Sequence, residues 1–173
     1  ADNSPYYETG VRLSSTSLSG KWYLAALVLN GWQRVQRVPG SNATNAGTQV
    51  TYTPSAKFTV NYSTYFGSEF PDTARKWRHF HNVYTTFAAA PRITISAGAD
   101  YGAQQSTKNS NVWHPWYGAV LIARYKITEK LATALRTEYY SDRNSVIVST
   151  GIPGGLTAVG SSLNLDYRVN KFA

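Results

Sequence analysis

Phe58-Thr59-Val60-Asn61-Tyr62-Ser63 sends its aliphatic and aromatic side chains to one side and its small polar ones to the other, because successive residues of a strand point to opposite faces. A repeat of two excludes an amphipathic helix, whose apolar stripe recurs about every 3.6 residues. Leu163-Asn164-Leu165-Asp166-Tyr167-Arg168-Val169 and Ile93 to Tyr101 repeat the alternation, and Tyr117 to Ile127 and Leu131 to Tyr139 follow it with more interruptions. The chain is therefore all-β, built from strands with two chemically different faces.

Turn residues divide these strands regularly. Short polar breaks fall at Thr16 to Gly20, Pro54 to Lys57, Ala89 to Arg92, Thr128 to Lys130 and Asn170-Lys171. Longer breaks run over Gln33 to Gly47, Glu69 to Lys76, Ala103 to Pro115 and Asp142 to Gly155. Markers in the short turns, Leu18, Ser55, Ala90, Glu129 and Asn170, are spaced 37, 35, 39 and 41 residues apart. Around them an aromatic residue, a tight turn, a base and a hydrophobe recur: Tyr52 to Phe58, Phe87 to Ile93, Tyr125 to Leu131 and Tyr167 to Phe172. Two strands of about ten residues, a short turn and a longer loop make up such a repeat, and about ten tilted residues cross a bilayer. The spacing predicts nine strands, near 6–16, 20–32, 47–54, 57–68, 77–88, 92–102, 115–127, 130–141 and 156–169, in an antiparallel up-and-down meander.

Composition indicates which solvent each face meets. Only 15% of the 173 residues are charged, against about 25% in ordinary soluble domains. The polar faces carry Thr, Ser, Asn, Gly and Gln, which suits a wet lumen. The aliphatic and aromatic faces suit lipid, where backbone groups must be paired within a closed sheet. A soluble β-barrel binding module would reverse the two faces and carry many surface charges. Cysteine is absent, which removes disulfide frameworks and thiolate metal sites. The net charge of +8 comes from bases scattered singly, so no nucleic-acid partner is expected.

Aromatic residues mark two levels along the strands. Tyr52, Phe87, Tyr125 and Tyr167 precede short turns, and Trp32, Trp77, Trp113 and Trp116 sit beside long loops. All eight are expected at membrane interfaces, where an apolar ring with a polar tip is satisfied at both ends. The Tyr-x-Pro-Ser-x-Lys-Phe turn at Tyr52, the strand end Asn30-Gly31-Trp32 and the stretch from Trp116-Tyr117-Gly118 through Ala123 to Tyr140 resemble the OmpL-like porins, outer-membrane barrels of Gram-negative bacteria. The resemblance covers most of the chain. It implies an outer-membrane location and pore formation, and it brings no catalytic residues.

Short turns of bacterial barrels face the periplasm. On that rule the first predicted strand starts outside the cell, and Asn170-Lys171-Phe172-Ala173 reads as a turn entering a further strand. The expectation is a single β-barrel domain over 1–173, incomplete at both ends, from a barrel of about 12 to 18 strands.

Alternation places Glu8, Arg12, Asn61, Asp100, Arg124, Lys126, Arg136, Glu138, Asp166 and Arg168 on the lumen side. Their near balance of charge has two readings, a weakly anion-preferring wall or mutually satisfied ion pairs. Lys21, Lys57, Arg92, Lys130 and Lys171 follow the short turns, either contacting anionic lipid head groups or acting as solubilising gatekeepers. His79 and His81 share one side of a strand, but no cysteine or nearby carboxylate completes a metal set. No Gly-x-Ser-x-Gly elbow exists, and His114 with Asp142 is the sole assembly resembling a catalytic pair. No cofactor and no enzymatic activity are expected. The leading function is passive diffusion of small polar solutes. Its rival is a plugged scaffolding barrel that binds other envelope proteins or copies of itself.

Overall fold

The computed structural model describes residues 7–169. Its strands are β1 (Gly10–Thr16), β2 (Trp22–Leu29), β3 (Asn45–Ser55), β4 (Phe58–Ser68), β5 (Trp77–Ala90), β6 (Ile93–Gln105), β7 (Trp113–Lys126), β8 (Leu131–Asp142) and β9 (Leu156–Tyr167). They form one sheet in sequence order, each strand antiparallel to the next. β3 to β9 run 11 to 14 residues, enough for a tilted crossing of a bilayer, which takes about 9–11. Among the described residues β1 and β9 each have one hydrogen-bonded neighbour, so the sheet is not closed upon itself.

Two differences from the sequence reading stand out. β1 starts at Gly10, with Tyr7 to Thr9 outside any strand, and the predicted start near residue 6 lies outside the described residues. β2 stops at Leu29, so Asn30-Gly31-Trp32 lies beyond the strand and does not end it. The turn at Asn170-Lys171 lies outside the described residues.

Register assigns the faces, because Cα partners across an antiparallel pair send their side chains to the same side. Leu27 pairs with Gly47, Gly47 with Tyr65, Tyr65 with Phe80, Phe80 with Gly102 and Gly102 with Trp116. All therefore share one face. Trp32, just past β2, brings its ring centroid within 6.1 Å of that of Trp116 in β7. A flat sheet would hold β2 and β7 about 24 Å apart at ~4.8 Å per strand. This face is therefore concave, and its aromatic cluster is the buried core of the described residues.

Val60, Ile95, Leu135 and Leu165 fall on the opposite, convex face. Leu135 and Leu165 are 54% and 70% exposed. Several polar groups on this face are paired with one another: the hydroxyls of Thr48 and Thr64 lie 2.7 Å apart, and the Tyr62 hydroxyl lies 2.6 Å from His81 Nδ1. Such pairing lowers the cost of presenting polar atoms to an apolar medium.

Candidate functional site

The concave face has an aromatic end, toward the long loops, and a polar wall below it. Gly31 at φ 144° turns the chain inward after β2, a backbone geometry that side chains with a Cβ rarely adopt. The next residue, Trp32, donates its backbone N–H to Glu69 Oε1 at 2.7 Å, and the Tyr65 hydroxyl donates to the same oxygen at 2.6 Å. Arg34 Nε donates to Oε2 at 2.8 Å. One carboxylate thus ties the β2–β3 loop to β4.

Held there, the Trp32 indole meets Tyr65 and Phe80 edge-on, with centroids 5.2 and 5.0 Å away. Trp116 is fully buried and lies so close to β6 that a Cβ on Gly102 would collide with its ring. The Arg78 guanidinium covers the Trp32 and Trp116 rings at 5.3 and 5.6 Å. It also donates to Gln104 Oε1 from Nε at 3.0 Å and from Nη2 at 2.6 Å. A cation over aromatic faces is favourable, and more so where water is excluded.

A second loop closes in from β8. Asp142 is fully buried and accepts the backbone N–H groups of Val146, Ile147 and Val148 at 2.8, 2.8 and 2.9 Å. Val146 and Ile147 are thereby packed against the aromatic cluster. At the loop tips, Asp72 accepts from the backbone N–H of Asn42 at 3.1 Å and is paired with Arg75. The Arg75 guanidinium and the Asn42 N–H hold the Asp72 carboxyl below the usual carboxylate range.

Below the aromatic end the wall is polar and hydrogen-bonded. Asn61 Oδ1 accepts from Gln49 Nε2 at 2.8 Å and from the Thr51 hydroxyl at 2.7 Å, while Asn61 Nδ2 donates to Ser63 Oγ at 2.9 Å. Asn82 Nδ2 donates to Asp100 Oδ1 at 2.5 Å. A recess of about 410 Å³ opens there, lined by Glu8, Gln49, Ser63, Asn82 and Asp100 beneath Tyr65 and Phe80.

Register places Arg12, Asn61, Asp100, Arg124, Lys126, Arg136, Glu138 and Asp166 on the concave face. Glu8 and Arg168 flank the ends of β1 and β9 and line recesses on it. Arg136 pairs with Glu138, and Arg124 Nε lies 4.0 Å from Asp166. The sequence reading overlooked Glu69, Arg78, Tyr65 and the structural part played by Asp142.

Six of the eight interface aromatics project from the convex face. Tyr52 stacks on Trp22 at 4.2 Å and Phe87 packs edge-on with Phe58 at 6.5 Å, near the short turns with Tyr125 and Tyr167. Trp77 stacks on Phe66 at 4.9 Å, and Trp113 lies 5.3 Å from His79, near the long loops. Trp32 and Trp116 must be corrected: both lie on the concave side and are buried. Nearness to a loop sets the height of a side chain along the sheet but not its side. Trp32 is carried inward by the turn at Gly31, and Trp116 by the register of β7.

The family described as "Putative beta-barrel porin-2, OmpL-like" matches residues 1–173. No curated protein matches the chain. Among solved structures, a crystal structure of the NanC porin is similar, with a TM-score of 0.49 and 11% identity over 94% of this chain and 93% of that one. An antiparallel up-and-down sheet with one polar concave face, matched along its full length by that family, makes the chain a member of the OmpL-like β-barrel porins.

Proposed function

We propose that the chain forms the wall of an outer-membrane channel through which small polar solutes diffuse passively, with no catalytic step and no cofactor. The observation that supports this best is the hydrogen-bonded polar wall of Gln49, Thr51, Asn61, Ser63, Asn82 and Asp100 on the concave face, opposite a convex face of exposed aliphatic and aromatic residues. A polar lining lets water and solutes replace one another at little cost, and membrane lipids cover the apolar side.

The inward loops favour a second reading, a barrel whose long-loop end is plugged and whose partners are envelope proteins or further copies of the chain. Planar bilayers separate the two. Stepwise ion conductance on insertion is the expected result, and insertion without conductance supports the plugged scaffold. Of the bases beside the short turns, Lys21, Lys57 and Arg92 are assigned to anionic lipid head groups on the periplasmic leaflet, each worth about 1 kcal/mol, whereas Lys130 lines a recess of the concave face. Insertion that loses its preference for phosphatidylglycerol vesicles when these three become Gln supports this. An unchanged preference assigns them to gatekeeping.

A further inference from the structure

At the short-turn end of the concave face, long side chains of β7 and β9 reach toward each other across β8. Lys126 pairs with Ala132, Arg124 with Ala134, and Ala132 in turn with Asp166. The two alanines are 4% and 9% exposed, so the small residues form a floor that the flanking charged side chains cover. Arg124, Lys126, Lys130 and Arg168 line the resulting recess of about 560 Å³, together with the carboxylates Glu129 and Asp166. The Arg168 backbone N–H donates to the Lys130 carbonyl at 2.8 Å, which fixes the far side of the recess.

Four bases face two acids there. Lys126 Nζ binds Glu129 at 2.7 Å, while Arg124 stands 4.0 Å from Asp166. Lys130 and Arg168 have no carboxylate within ion-pair distance among the described residues. Lys126 holds the Glu129 carboxyl below its ordinary range, and the charges of Arg168 and Arg92 add to the effect. Deeper on the wall, by contrast, Arg136 is paired with Glu138.

We propose that this recess is a capture site for small solutes bearing a carboxylate or phosphate, which makes the short-turn mouth favour anions. The inference deepens the channel reading and rests on it. Guanidinium and ammonium groups together suit an oxyanion, the first by forked donation and the second as a point charge. A mouth of one sign raises the local concentration of solutes of the other.

The test is the reversal potential of the full chain under a potassium chloride gradient. Phosphatidylcholine bilayers are used, because they have no net charge and their head groups cannot be the anion captured. The wild type is expected to favour chloride, and inorganic phosphate added on the short-turn side to reduce the current. In the triple variant Arg124→Gln, Lys130→Gln, Arg168→Gln the anion-to-cation ratio falls by about three- to tenfold and the phosphate effect disappears. Arg37→Gln, an exposed long-loop change, leaves the ratio as it was, and Lys130→Arg with the other two positions native retains it. Intact conductance with an unchanged ratio in the triple variant overturns the capture site and leaves the channel standing. A wild type that conducts without anion preference does the same. A wild type that inserts without conducting overturns the channel and the capture site together.

Discussion

Glu69→Ala is expected to raise single-channel conductance severalfold and to expose the β2–β3 loop to protease. In the native chain the two oxygens of this carboxylate receive the Trp32 N–H, the Tyr65 hydroxyl and Arg34 Nε. Hydrogen bonds to a charged group contribute about 1.5–3 kcal/mol each when shielded from water. The bond from half-exposed Arg34 contributes less. A net loss of about 3 kcal/mol shifts the loop equilibrium roughly a hundredfold toward release. The Trp32 indole then leaves the cluster of Tyr65, Phe80 and Trp116, and the long-loop end widens. Trp32→Ala opens the same end without releasing the backbone, so its conductance rises while the loop stays resistant to protease. Native conductance in both variants contradicts the idea that this cluster sets the width of the channel.

The second large effect concerns stability. Asp142→Ala leaves the N–H groups of Val146, Ile147 and Val148 without their acceptor, at about 1–3 kcal/mol for each group kept from water. Partial rehydration of the loop recovers some of this, so the expected cost is about 3 kcal/mol. Two measurements check it: a lower unfolding midpoint in detergent, and fast hydrogen exchange confined at first to these three amides. Asp142→Asn retains one acceptor oxygen and loses less. Protection of the three amides that survives in Asp142→Ala contradicts the assignment.

The two faces of the sheet were legible in the sequence because a strand reverses its side chains at every residue, and one local stretch such as Phe58 to Ser63 already shows it. Val60 and Asn61 lie on opposite faces, as their adjacency requires. Trp116 carried a readable signal that the aromatic pattern overrode: it is an even number of residues from Arg124 and Lys126, both assigned inward. Counting along β7 turns it to their side. Arg78 could have been found likewise, by counting back along β5 from outward Phe87.

The loop contacts had no such signal. Glu69 meets Trp32 across 37 positions, and no periodicity links residues brought together by folded loops. Asp142 sits at the end of a strand where sequence position suggests a surface charge, yet it is buried by the loop whose backbone it binds. The composition of the wall was legible, but the pairing of Arg136 with Glu138 depends on side-chain reach, which alternation does not specify.

Everything rests on hydrocarbon meeting the convex face and water the concave one. The chain has no cysteine, so single cysteines placed one at a time from residue 132 to residue 141 can each carry a nitroxide label. In liposomes, relaxation by lipid-soluble oxygen should peak at positions 133, 135, 137 and 139, and relaxation by a water-soluble nickel chelate at 134, 136 and 138. Two alternating profiles of opposite phase are the predicted result. Profiles of the reverse phase, or labels reached equally by both agents along the whole strand, would contradict the account.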